Sequence, residues 1–304
     1  MEYVLTTNVL SKQYRKFKAL DDLNMHVPKG SIYGFVGKNG AGKTTLIRVI
    51  CGLQEPSAGT YTLYGTANTD KKIVKIRQRM GAVVETPSIY LKMSAADNLK
   101  MQYDILGVPS YDDIPELLKL VGLEHTGKKK AEHFSLGMKQ RLGIAIALAG
   151  NSDFLVLDEP VNGLDPQGIV EIRELLLKLN REHQITILIS SHILDELSKL
   201  ATHYGFIDKG RMVREMSAAE LEEACGRATR IKVTDTRILT RVLDELQMEY
   251  KIISDTEADV FAKVNITSLT LALAKEKCEL FSVQEREESL ESFYLSLIGG
   301  AAHA

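Results

Sequence analysis

The chain has 304 residues, 44% of them apolar and 26% charged, with a formal net charge of −2. That balance suits a soluble globular protein of one large and one small domain, and it gives no electrostatic reason to expect nucleic acid as a partner. No apolar run approaches the roughly 18 residues that span a bilayer, and the N-terminal MEYVLTTNVLSKQY lacks the apolar core of a signal peptide.

From the N-terminus, the first chemical signal is GKNGAGKTT, starting at Gly37. Gly37, Lys38, Asn39, Gly40, Ala41, Gly42, Lys43 and Thr44 match the phosphate-loop pattern G-x-x-x-x-G-K-[ST], and Thr45 follows. A β-rich run, SIYGFVG (31–37), precedes it, and an apolar-periodic helix, TTLIRVICGL, follows. The pattern places backbone N–H groups and a helix N-terminus around phosphate oxygens, with Lys43 on the β/γ-phosphates and the Thr44 hydroxyl on Mg²⁺. Next comes MGAVVE (80–85), read as a strand. Residues 86–133 are helical in pattern and broken by Gly107, Pro109, Pro115 and Gly122, as in an inserted helical subdomain that runs on to about residue 150. Lys128, Lys129 and Lys130 read as a solvated loop.

FSLGMKQRLGIAIALAG (134–150) offers a second helix start. Ser135 is an N-cap candidate and Gly137 leaves backbone N–H groups open, so this start is an anion site facing a nucleotide held by another chain, or an ordinary capped helix. FLVLDE (154–159) and TILISS (186–191) are nearly continuous apolar runs, as expected of strands buried on both faces, and IVEIRELLLKLNREH (169–183) is helical between them. Neighbouring side chains at a strand end face opposite ways, so Asp158 can serve the metal and Glu159 can activate a water. His192, at the end of the next run, is placed to bond the γ-phosphate.

Beyond residue 217 the order is strand (RIKVT), helix, two strands (YKIIS and DVFAKV), helix, strand (ELFSVQE) and a terminal helix. This β-α-β-β-α-β order predicts a small α+β domain of ferredoxin-like topology over 217–304, after an α/β unit over 1–216. Cys51, Cys225 and Cys278 form no C-x-x-C pair, which points to a reducing compartment.

Taken together, residues 1 to about 216 resemble the ATP-binding subunits of ABC transporters. GKNGAGKT resembles Walker A, FLVLDE Walker B, FSLGMKQ a variant LSGGQ signature, NGLD (162–165) the D-loop with Asp165, and His192 the switch histidine. Tyr14 resembles the aromatic residue that stacks on adenine, though its position also fits a surface strand. Glu85 stands where the family usually has the Q-loop glutamine, which implies an oxygen ligand to Mg²⁺ with added negative charge. The resemblance implies ATP and Mg²⁺ as cofactors and a second ATPase chain closing over two nucleotides. It also implies a separate membrane permease, and a cytoplasmic position against the inner face of the membrane. VVETPSIY, FSLGMKQRL and the appended domain resemble bacitracin-transport and lantibiotic-immunity ATPases. The alternative is a soluble ABC ATPase of the translation or DNA-repair type, against which stand the single cassette and the lack of sustained heptads.

Overall fold

The computed structural model describes residues 2–224, 227–261, 264–287 and 290–300. The chain divides into two compact units, the first running to Ala218 and the second starting at Ala219.

In the first unit the central sheet has six strands: β3 (Ile32–Val36), β6 (Met80–Val83), β7 (Phe154–Asp158), β8 (Thr186–Ser191), β9 (His203–Asp208) and β10 (Arg211–Ser217). Their order is β10-β9-β3-β8-β7-β6, parallel throughout except for β10, which runs antiparallel at the edge. Every residue of β3, β7 and β8 is buried, the physical meaning of their nearly continuous apolar runs. Register pairs Val36 with Ser191 and Asp158 with Ser190, so these three strands end level with one another. Parallel sheets of this kind carry their ligands beyond the carboxyl ends of the strands.

A second, antiparallel sheet, in the order β2-β1-β4-β5, comprises β1 (Tyr3–Tyr14), β2 (Phe17–Pro28), β4 (Ala58–Leu63) and β5 (Thr66–Ala67). Apart from the surface-strand reading of Tyr14, its strands are absent from the sequence-based expectation. The β1–β2 register is interrupted repeatedly, with Val9 at φ 49° and Asp22 at φ 51°, and each irregularity breaks the alternation by which a half-buried strand is recognised. Between the sheets lies one core containing Leu5, Leu20, Leu23, Phe35, Leu46, Ile47, Phe154 and Leu188.

The helices of this unit are α1 (Lys43–Ile50), α2 (Ile73–Arg77), α3 (Ala95–Leu106), α4 (Ile114–Leu120), α5 (Leu136–Leu148), α6 (Pro166–His183) and α7 (Leu194–Ser198). Helix α6 starts three residues before its apolar periodicity does, because Asp165 caps it, accepting from the Gly168 N–H at 2.9 Å, and Pro166 follows as a preset first turn.

The second unit comprises α8 (Ala218–Ala224), β11 (Arg227–Val233), α9 (Thr236–Glu245), β12 (Tyr250–Ser254), β13 (Glu257–Val260), α10 (Ile266–Lys275), β14 (Leu280–Glu287) and α11 (Leu290–Gly300). The antiparallel order β12-β13-β11-β14 is the ferredoxin-like arrangement. Ile231, Val233, Ala258 and Val260 pack with Leu239, Leu243, Leu269 and Leu273 of the two helices. The strand expected at DVFAKV is instead Glu257–Val260, and Ala262 and Lys263 of that run lie outside the described residues, as does Cys225. Among the described residues no helix is long and apolar enough to cross a membrane.

Candidate functional site

The loop between β3 and α1 turns on Gly42, the residue before the helix, at φ 113°. A Cβ there would lie 2.5 Å from the Ala19 carbonyl oxygen, so only glycine lets the loop close against β2. Lys43 is 6% exposed, and its Nζ donates to the carbonyls of Gly37 at 2.6 Å and Lys38 at 3.3 Å. The same ammonium lies 3.2 Å from Glu159 Oε1. Lys38, Asn39 and Gly40 are exposed, Ala41 and Gly42 are buried, and Thr44 and Thr45 open α1 half-buried.

Asp158 ends β7 and is 1% exposed, accepting a hydrogen bond from Ser190 Oγ at 2.6 Å. Glu159 follows in the left-handed region at φ 49°, a conformation that costs a non-glycine residue about 1–3 kcal/mol and is kept where the surroundings enforce it. Its N–H donates to both Ser190 Oγ (3.0 Å) and the Ser190 carbonyl (3.2 Å). This twist places Glu159 Oε2 at 2.8 Å from His192 Nδ1. Lys43, Glu159 and His192 therefore form one connected line at the ends of β3, β7 and β8.

Ser190 is the member that sequence reasoning passed over. Its hydroxyl donates to one carboxylate and accepts from the backbone of the next, and it is fully buried. The available signal was a pair of hydroxyls, Ser190 and Ser191, in an otherwise apolar strand, where each needs a polar partner. Replacing Ser190 by alanine removes a bond to a buried charge, worth roughly 1.5–3 kcal/mol. The expected result is about a ten-fold loss of turnover together with a lowered melting temperature, read by phosphate release and thermal unfolding.

At the start of α5, Ser135 Oγ accepts from the Met138 N–H at 3.2 Å. Ser135, Leu136, Gly137, Gly163, Leu164 and Asp165 are among the residues lining an open cleft of ≈ 430 Å³. No residue of the phosphate loop lines it. The structure thus gathers the 37–45 loop, Asp158, Glu159 and His192 at one place, and Ser135, Gly137 and Asp165 at another.

Two expected site residues have local partners. The Tyr14 hydroxyl donates to Gln54 Oε1, and the Lys12 ammonium sits 5.4 Å from the ring centroid, so the ring is held in place at the end of β1. Glu85, at φ 61° after β6, pairs with Arg48 Nη2 at 2.7 Å, one helical turn beyond Thr44. Burial pushes the thiol of Cys51, at the end of α1, up to about 12.

The donor set fits Mg²⁺. Asp158 and Thr44 offer hard oxygens, and no group of three or more His, Cys, Asp or Glu among the described residues forms a closed cage. An ion bound by one or two protein oxygens together with substrate phosphates is the usual Mg²⁺ arrangement.

Comparison with known proteins identifies the family. Residues 20–162 match the family described as ABC transporter. The chain is 37% identical over 309 residues to the bacitracin transport ATP-binding protein BcrA of Enterococcus faecalis, covering 100% of this chain and 99% of that protein. It is 43% identical over 206 residues to the lantibiotic transport ATP-binding protein SrtF of Streptococcus pyogenes, covering 68% of this chain and 87% of the other. Among solved structures, cbiO1 of Clostridium perfringens, part of the ABC transporter complex cbiONQ, superposes with a TM-score of 0.66 at 26% identity, covering 81% of this chain and 97% of that one.

Proposed function

Because this chain belongs to the ATP-binding subunits of ABC transporters, which hydrolyse ATP to power transport, we propose that two ATPase chains close over two Mg-ATP and drive a separate permease that removes a peptide antibiotic of the bacitracin or lantibiotic kind. The observation that carries the two-chain reading is the separation of half-sites within one chain. The cleft at Ser135 and Gly137 has a helix N-terminus, capped by Ser135 itself, and none of residues 37–45 in its lining. A two-fold pair supplies each with the other.

In that pair the phosphate loop of one chain holds the β- and γ-phosphates, with Lys43 leaving the loop carbonyls to follow the added negative charge. Thr44 and Asp158 would hold Mg²⁺, which would supply charge neutralisation on the transferring phosphoryl group. Glu159 takes a proton from the attacking water, and His192, bonded through Nδ1, fixes the orientation of its carboxylate. Glu85 would offer an oxygen to the metal only on giving up its bond to Arg48, an exposed pair of the kind worth at most about 1 kcal/mol. Tyr14 stacks on adenine. Ser135 and Gly137 of the partner chain close on the γ-phosphate, Asp165 stands at the seam, and helix α5 presents its N-terminal dipole.

The substrate class rests on full-length similarity to BcrA, which includes the second unit. Tyr90, Leu91, Ile105 and Leu106 leave apolar surface exposed on the helical subdomain, a docking face for a permease that would hold the chain at the inner face of the membrane. Purification in mild detergent is expected to bring down one integral membrane protein, and Tyr90→Asp combined with Leu91→Asp to release it while ATP binding persists. Deleting the gene should lower tolerance to a peptide antibiotic. A chain that co-purifies with no membrane protein, or whose loss leaves tolerance unchanged, contradicts the respective half of the proposal.

A further inference from the structure

The phosphate loop is held from behind by a turn that none of the motifs includes. Residues 208–211 join β9 to β10 through Lys209 at φ 47° and Gly210 at φ 81°, the left-handed pair of a tight hairpin. The Gly210 N–H donates to the Ala41 carbonyl at 2.9 Å, and the Gly210 carbonyl accepts from the Asp21 N–H at 2.9 Å. A Cβ on Gly210 would lie 2.8 Å from the Ala19 carbonyl oxygen, so the turn and β2 meet backbone to backbone. Arg211 then fastens the turn sideways, with Nε 2.8 Å and Nη2 2.6 Å from Asp21 Oδ2, while Lys18 takes Asp21 Oδ1 at 2.8 Å.

The chemistry follows from the peptide plane. The Ala41 carbonyl and the Gly42 N–H share one planar trans peptide and point in opposite directions. Pinning the carbonyl outward on Gly210 aims the Gly42 N–H inward, toward the phosphates. The ordering of that donor is then complete before nucleotide arrives, and preorganisation of this kind raises affinity by reducing what binding must order.

We propose that Gly210 and Arg211, anchored on Asp21, are positioning residues that aim the Gly42 N–H of the phosphate loop and so set the affinity for ATP. The inference rests on the assignment of that loop as the ATP site and adds to it the element that orients it.

The test is titration of the full-length protein with a fluorescent ATP analogue, with steady-state turnover alongside. Arg211→Ala is expected to weaken binding by about three- to ten-fold, with the loss falling on KM rather than kcat, and Arg211→Lys to recover most of it. Gly210→Ala, which drives a Cβ into backbone, is expected to weaken binding by about ten-fold or more. The ion pair is largely exposed on the Arg211 side, 68%, so Arg211→Ala should melt close to the parent protein and remain readable if Gly210→Ala does not fold. Unchanged affinity in Arg211→Ala, equal losses for alanine and lysine, or a loss confined to kcat overturns the proposal. Lys43→Ala is the separate control: if it binds the analogue as the parent does, the site assignment itself fails, whatever Arg211 shows.

Discussion

Glu159→Gln is expected to lower ATP turnover by about 10²–10⁴-fold while leaving ATP binding intact. The amide is nearly isosteric, and the backbone bonds that hold the residue in its left-handed conformation, from its N–H to Ser190, do not involve the side chain. What disappears is a carboxylate able to take a proton, along with one partner of the Lys43 ammonium. ATP therefore binds and is not consumed, and the two-chain state that precedes hydrolysis accumulates. Phosphate release gives the rate, and gel filtration with saturating ATP gives the assembly. Turnover within ten-fold of the parent would mean that another group is the base.

Lys43→Ala is expected to remove ATP binding almost wholly, by about 10²-fold or more. The loop's other cation, Lys38, is exposed, whereas the Lys43 side chain is 6% exposed and is held inside the loop by two carbonyls and Glu159. On the proposed reading the ammonium is the charged donor to the phosphates, and losing a hydrogen bond between charged groups costs about 1.5–3 kcal/mol, or about 10²-fold in affinity. A fluorescent ATP analogue measures the loss directly. Retained affinity would show that the loop around Lys43 is not where the nucleotide binds.

Much of this was legible in the sequence wherever physics ties residue type to local geometry. The nearly continuous apolar runs at 154–158 and 186–191 are buried parallel strands, and the phosphate loop sits between β3 and α1 as its pattern requires. The β-α-β-β-α-β order of the second unit gives the observed sheet order. The antiparallel sheet was illegible because bulges at Val9 and Asp22 scramble its alternation. The two hydroxyls of β8 hinted at Ser190, but its partners, Asp158 and Glu159, both lie across the β7–β8 pairing and are not readable from local pattern. The Glu85–Arg48 pair joins residues 37 positions apart, and the hold of Gly210 on Ala41 passes entirely through backbone atoms, which leave no mark on side-chain patterns.

The composite site is tested most directly by mixing two inactive chains. Lys43→Ala disables the phosphate loop, and Ser135→Arg fills the cleft at the start of α5; each alone should be without activity. In a pair made of one of each, one nucleotide site carries both lesions and the other is intact, so mixing should restore ATP turnover that neither variant has. A mixture that stays inactive, although the two chains are shown to associate, would contradict a site shared between chains.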